Sequence, residues 1–264
     1  MRKKRPLGQN FLIDKNMAAE IIRLADIPPE GRVVEIGPGH GVLTDLLMDR
    51  AGSVLALEID PKLCRELIRR FKGRDKFQLV EADAMKYDYS AAGPKFKVIS
   101  NLPYYAAMPI MKRLLTYGSH ITDMTLMMQK EVVDRLVAQP GHKEYGSLTV
   151  FTQFHCRVER LLEVAKTCFS PAPKIDSSVI RLTPLSQPPV KVNNMKTFFH
   201  VVHAAFFHKR KMLKNNLRTL QKLYPLDFQK IEDAGINLSR RGETLSLEDF
   251  ASISNLLATN HDGS

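Results

Sequence analysis

The chain has 264 residues, 44% of them hydrophobic, with 39 Lys and Arg against 28 Asp and Glu for a net charge of +11, which suits one large domain, or one with a small appendage, able to fold alone. No apolar run approaches the roughly 18 to 20 residues of a membrane span; the N-terminal "MRKKRPLGQNFLIDK" reaches charge again at Asp14 too soon for a secretory leader; and Cys64, Cys156 and Cys168 are too scattered for a disulfide framework or a zinc site. The protein is therefore expected to be cytoplasmic, monomeric and metal-free, with no membrane partner, and its basic excess points to a polyanion, nucleic acid first and an acidic membrane surface second.

In chain order, the first half alternates apolar runs with helical patterns, the signature of an α/β, Rossmann-like sheet covered on both faces. Strands are predicted over 33–36, 54–58, 77–80, 98–100, 124–128, 148–156 and 178–182, about seven in all. Helices fall between them. One runs over 43–50, opened by Gly41 and Val42, and one over 61–71, where Pro61 suits the first helical position behind Asp60 as N-cap. The last two strands are separated by a short, partly helical link and are expected to pair as an antiparallel hairpin. "TPLSQPPV" at 183–190 reads as a linker, dividing a domain over 1–185 from a small helical one over 186–264. In the second domain a helical pattern over 195–223 carries Phe198, Val202, Phe206, Leu213, Leu217 and Leu220. Ser246 and Asp249 resemble a capping box, and "ATNHDGS" reads as a frayed tail.

Charge is unevenly spread. Between Ser177 and Leu226 there is no acidic residue, while Arg181, Lys191, Lys196, Lys209, Arg210, Lys211, Lys214, Arg218 and Lys222 fall inside that interval. Such a run can be a plain solvated face, but one sign over so long a stretch repels itself, and a polyanion site is expected here.

The strand ends carry the chemistry. "VVEIGPGHG" at 33–41 runs an apolar strand into Gly37, Gly39 and Gly41, which lets a ligand approach the backbone, although a tight turn without a ligand has the same look. Val42 stands where the dinucleotide fingerprint wants glycine, and the phosphate-loop Lys-Ser/Thr is missing, so pyrophosphate and triphosphate both lose ground. The next runs end in Glu58, placed to accept from two ribose hydroxyls, and in Asp83. Either acid alone could be a helix cap. Together the three tips suggest a nucleoside cofactor without a phosphate chain, and S-adenosylmethionine is such a cofactor. "KVISNLPYY" then puts Asn101 at the fourth strand's tip; Pro103 holds the turn out of a helix, so its carbonyls and the Asn101 oxygen are expected to accept from an adenine amine while Tyr104 stacks on the base.

These motifs resemble those of the small-subunit (16S) ribosomal RNA adenine dimethyltransferases over nearly the whole chain. "GQNFL" at 8–12, "EIGPGHGVLT", Glu58, "EADAM", "NLPYY", "MMQKEVVDRL", "FSPAPKIDSSV" at 169–179 and "FFHKRKMLKNNL" at 206–217 follow in the family's order. The resemblance implies a class I methyltransferase fold that transfers four methyls from S-adenosylmethionine to two adjacent adenines near the 3′ end of small-subunit ribosomal RNA. Asn10, Leu12, Gly37, Gly39, Glu58, Asp83 and Asn101 would contact the cofactor, and Asn101, Leu102 and Tyr104 would hold the target adenine. Phe169, in a loop stiffened by Pro171 and Pro173, would be an exposed aromatic stacking on the base's other face, a core aromatic being the alternative. The segment with Lys209, Arg210, Lys211, Lys214 and Arg218 resembles the family's basic C-terminal helix and would bind the RNA of the assembling small subunit. Tyr105 and Ala106-Ala107-Met108 depart from the polar residues usual after "NLPY", removing a helix cap, and Gly242 stands where many members have proline. Rival readings are a large-subunit RNA adenine methyltransferase of the antibiotic-resistance type, a DNA adenine methyltransferase, and a non-catalytic assembly factor.

Overall fold

The computed structural model describes residues 10–258. Gly8 and Gln9 of the first motif, the basic N-terminal start and nearly all of the expected tail lie outside the described residues. Among the described residues no helix is long and apolar enough to cross a membrane.

The chain divides into two compact units: the described residues up to Val133 with Arg157–Pro184, and Asp134–Cys156 with the described residues from Leu185 onward. The segment 134–156, counted with the first domain on sequence grounds, belongs to the second unit.

The first unit opens with β1 (Phe11–Leu12) and α1 (Lys15–Leu24), whose N-cap Asp14 accepts from the Met17 N–H at 2.9 Å. There follow β2 (Arg32–Ile36), α2 (Val42–Arg50), β3 (Ser53–Glu58), α3 (Pro61–Arg70), β4 (Phe77–Glu81), β5 (Phe96–Asn101), α4 (Ala107–Leu115) and β6 (Ile121–Gln129). Asp60 caps α3 through the Lys62 N–H, with Pro61 in the first turn, as expected. Helix α4 starts behind Ala106 with no side-chain cap, the consequence of the small residues after "NLPY". Along the chain next come α5 (Lys130–Val137), α6 (Ser147–His155), which belongs to the second unit, and then β7 (Cys156–Val164), β8 (Phe169–Ser170) and β9 (Ser177–Pro184).

Seven strands form one sheet in the order β4-β3-β2-β5-β6-β9-β7. Strands β4, β3, β2, β5 and β6 run parallel to one another and β9 runs antiparallel to β6. Strands β2, β3 and β5 are buried almost continuously, because helices cover both faces, and their runs accordingly read as unbroken apolar stretches. One covering layer brings Ile21 and Ile22 of α1 and Leu47 of α2 into a core with Val33 and Val54. The chain progresses outward from β2 through β3 to β4, then crosses to β5 on the other side of β2. A cleft outside the carboxyl ends of β2 and β5 is the consequence of that reversal.

One predicted strand is wrong. Residues 148–155 lie in helix α6, and the sheet takes its seventh strand from the next segment, "CRVERLLEV", which begins at Cys156. The run is rich in β-formers, but Val150 and Phe154, four apart, enter the core of the second unit, and the Thr152 hydroxyl donates to the Leu148 carbonyl one turn back. Packing overrides propensity here. Strands β7 and β9 are neighbours at the end of the sheet, joined through a 3-10 turn at Lys166–Cys168 and the short β8, which pairs with β1.

In the second unit, α6 packs with α7 (Met195–Ala205), α8 (Leu213–Leu217), α9 (Phe228–Asp233) and α10 (Leu247–Ala258) around Phe154, Phe198, Leu217, Ile231 and Phe250. The Ser246 N–H donates to Asp249 Oδ2 at 3.1 Å and the Asp249 N–H to Ser246 Oγ at 3.2 Å, the reciprocal box expected at the start of α10. The helix expected over 195–223 is broken. It stops at Ala205 and resumes at Leu213, so Lys209, Arg210 and Lys211 occupy an exposed turn rather than a helix.

Candidate active site

The cleft of about 770 Å³ is lined by Asn10, Gly37, Gly39, Glu58, Asp83, Asn101, Leu102 and Tyr104 among others. Each is delivered by the end of an element. After β2 the chain turns through Gly37, Gly39 and Gly41, all in the left-handed region, with φ of +64°, +58° and +82°. Gly39 has a further reason to be glycine: a Cβ there would lie 2.8 Å from the Phe11 ring, whose centroid is 4.5 Å from that of His40.

Glu58 ends β3 and is 2% exposed. One carboxylate oxygen accepts the Ile59 and Asp60 N–H groups at 2.8 and 2.9 Å, and the other faces the Gly39 N–H at 3.4 Å. Burial pushes this carboxyl above its ordinary value, and the three backbone donors oppose the shift. Asp83, just past β4, accepts the Met85 N–H at 2.9 Å, which shapes the next wall of the cleft.

Asn101 closes β5. Its side-chain Nδ2 donates to the Asn10 carbonyl at 3.3 Å, which orients the amide and leaves Oδ1 as an acceptor. The Leu102 N–H bonds the Met127 carbonyl at 3.1 Å, continuing the ladder between β5 and β6 by one residue. Of the turn carbonyls expected to be left free to accept from a ligand, that of Pro103 is already engaged: it accepts the Ala106 N–H at 2.9 Å, at the entry into α4. The Tyr104 hydroxyl shares a 2.7 Å hydrogen bond with Ser177 Oγ, pinning the ring at the cleft wall.

Two predicted residues stand elsewhere. Leu12 is buried and lines a smaller, adjoining pocket at the glycine turn, together with Glu35 and with Gly37, Gly39 and Asn101, which it shares with the cleft. Phe169 is 3% exposed and packs in the core with Leu12, its register partner between β1 and β8. The expectation of an exposed aromatic is corrected. The prolines after it mark a loop, but the short pairing with β1 draws the ring inward. Among the basic residues, Lys209, Arg210, Lys211 and Arg218 are exposed, whereas Lys214 is half-buried with its ammonium 5.4 Å from the Phe228 ring centroid. All belong to the second unit.

Sequence reasoning missed Glu35. It is 1% exposed and accepts from the Thr44 hydroxyl at 2.7 Å. Burial pushes its carboxyl up to about 8, with the Thr44 hydrogen bond opposing and Glu58 and Asp45 adding to the rise. An acid in the middle of "VVEIGPG" was the available signal. Phe11, Ile59, Met85 and Tyr105 also line the cleft, and only their places beside the motif residues hinted at it.

A glycine turn, two strand-tip acids and a strand-tip amide around one cleft, at the reversal point of a mostly parallel sheet, define a Rossmann-like methyltransferase. The family model described as ribosomal RNA adenine dimethylase matches residues 1–259, and the chain belongs to that family. It is 43% identical to a Clostridium botulinum protein named ribosomal RNA small subunit methyltransferase A, over 95% of this chain and 92% of the relative. A Clostridium acetobutylicum protein of the same name is 42% identical over 94% and 91%. Among solved structures it resembles a dimethyladenosine transferase from Plasmodium falciparum, with TM-score 0.80, 27% identity and coverage of 96% and 98%. The 23S rRNA methyltransferase ErmE aligns with TM-score 0.74, 26% identity and coverage of 94% and 100%.

The protein is thus a ribosomal RNA adenine dimethyltransferase that uses S-adenosylmethionine. The cleft fits that donor: a buried carboxylate fixed by backbone N–H groups can accept from ribose hydroxyls, and at Gly37, where a Cβ would meet nothing closer than Pro103 at 3.8 Å, the glycine turn leaves the backbone open to close approach.

Proposed function

We propose that the protein dimethylates N6 of two adjacent adenines near the 3′ end of small-subunit ribosomal RNA, acting as a cytoplasmic monomer during subunit assembly. The orientation of Asn101 carries this reading: with Nδ2 committed to the Asn10 carbonyl, Oδ1 is presented as an acceptor. An adenine amine offers two N–H donors, which Asn101 Oδ1 and the Leu102 carbonyl can accept, while the pinned Tyr104 ring stacks on the base. Each such hydrogen bond adds roughly 0.5–1.5 kcal/mol and a stacked base roughly 1–3 kcal/mol. Alignment contributes more, since holding reactants in line can be worth about 7–11 kcal/mol.

When bound, S-adenosylmethionine supplies a methyl already activated by its positive sulfur. The cleft therefore has no need of a strong general base, and the amine proton can leave after attack. Glu58 and Asp83 hold the nucleoside part, and the apolar rim of Ile59, Met85 and Tyr105 limits water. Lys209, Arg210, Lys211, Lys214 and Arg218 neutralise RNA phosphates.

The small-subunit substrate is favoured over the large-subunit rival by the relatives' names at 42–43% identity, against 26% for the 23S enzyme. Incubating the protein with labelled S-adenosylmethionine and under-methylated small subunits, then mapping the label, tests the proposal. Label on two adjacent adenines near the 3′ end is expected. No incorporation overturns the reading, and label confined to large-subunit RNA overturns the substrate.

A further inference from the structure

Two adjacent phenylalanines follow α7 and go opposite ways. Phe206 turns inward, its ring centroid 5.8 Å from that of Phe250 and 5.9 Å from that of Tyr145. Phe207 turns outward and is 66% exposed, and among the described residues no large apolar side chain is more exposed. Its ring meets His208 edge-on at 4.6 Å.

The backbone around it is fastened from below. Buried Asn216 accepts the His208 N–H at 3.2 Å and donates to the Ala205 and His208 carbonyls at 2.8 and 3.1 Å. The Ala205 carbonyl is so close to Gly242 that a Cβ there would approach it to 2.4 Å, so the turn sits tightly on its support. The Lys211 N–H closes the turn onto the His208 carbonyl at 3.0 Å. A fixed turn therefore holds an apolar ring in solvent, one residue removed from three exposed cations, Lys209, Arg210 and Lys211.

We propose that Phe207 is a stacking platform for an unpaired base of the RNA whose phosphates Lys209, Arg210 and Lys211 neutralise. This rests on the reading that the basic turn contacts ribosomal RNA. A cationic edge beside an exposed aromatic face matches a single-stranded loop or bulge, where a base can be splayed onto a ring while the backbone meets positive charge. A paired stem offers the cations the same phosphates but gives the ring no free base. The partner chemistry is thus an unpaired nucleotide, and because every base has a π-face the platform tolerates sequence.

The test uses the full chain and two RNA probes of equal length and charge, a hairpin with an unpaired loop and a blunt duplex, titrated over a range of salt. Phe207→Ala should weaken hairpin binding by about 5- to 100-fold and duplex binding by less than about twofold, with the salt slope unchanged. Phe207→Trp should retain hairpin affinity. Because the parent chain has no Trp, the emission of that variant reports the site alone, and it should be quenched by the hairpin and not by the duplex. Equal losses on both probes, an unchanged hairpin affinity or a shifted salt slope would each overturn the platform. So would a Phe207→Ala defect seen only on assembled subunits, which would indicate a protein contact. Replacing Lys209, Arg210 and Lys211 with Ala separates the two ideas: if that variant keeps the parent salt slope, the RNA-surface reading itself fails.

Discussion

At the tip of β5, Asn101 is held by a backbone carbonyl from a distant part of the chain, and every neighbouring wall of the cleft is likewise an element's end. At residues 206–212 the working groups are exposed side chains on a turn that a buried asparagine supports from beneath. In the proposed reading the cleft handles one small molecule and one base, so its polar atoms must be fixed to a fraction of an ångström. On the same reading the turn meets a charged polymer, where Coulomb attraction acts over about 8–10 Å and long flexible cations suffice. Replacement should therefore be costly and local in the first region, modest and salt-dependent in the second.

The sharpest break of that contrast would come from Asn101→Ala. Methyl transfer should fall by at least about a thousandfold, because alignment is the largest contribution the cleft makes, while RNA affinity stays near that of the parent. Single-turnover transfer and equilibrium RNA binding measured on the same preparation decide it. Near-normal turnover would remove the amide from the mechanism.

A second test lies behind the glycine turn. Because burial raises the Glu35 carboxyl from 4.5 to about 8, the unfolded chain releases this proton from about pH 4.5 upward while the folded chain keeps it. The contribution of Glu35 to stability thus falls as pH rises through that window and levels off above about pH 8. Glu35→Gln should cancel the trend, gaining on the parent with rising pH by up to a few kcal/mol. Thermal unfolding of both proteins from pH 5 to 8.5 measures the gap, and a gap that does not widen with pH would refute the assignment.

The smallest change is expected at the basic turn. Replacing Lys209, Arg210 and Lys211 together with Ala should reduce the slope of log affinity against log salt by about 2 to 3, at roughly 0.7–0.9 for each phosphate no longer neutralised. Methyl transfer at saturating RNA should be almost unchanged. A large loss of the chemical step in this variant would mean that the turn positions the target base as well as the phosphates.

The same contrast explains what could be read from the chain alone. Strands β2, β3 and β5 were legible because burial on both faces leaves an uninterrupted apolar run, and the residues at or just past their ends name the cleft: Gly37 after β2, Glu58 and Asn101. Strand β7 was not, since it lies at the end of the sheet and carries Arg157, Glu159 and Glu163 on exposed positions, while the apolar run before it went to a helix. The spacing of Phe206, Leu213 and Leu217 keeps a helical period across a turn that is not helical, so the hydrophobic pattern hid the break. Phe169 was misplaced because a two-residue pairing between β1 and β8 leaves no pattern to detect.

The 3.3 Å bond from Asn101 to the Asn10 carbonyl has one more consequence. Aspartate matches asparagine in outline but has no N–H. At position 101 its two oxygens would set a negative charge against the negative end of the Asn10 carbonyl dipole, and the side chain would lose the hydrogen bond that fixes its rotation. The site therefore discriminates between isosteres by hydrogen-bond polarity rather than by size: one end must donate a hydrogen bond to the protein so that, in the proposed reading, the other can accept one from the base.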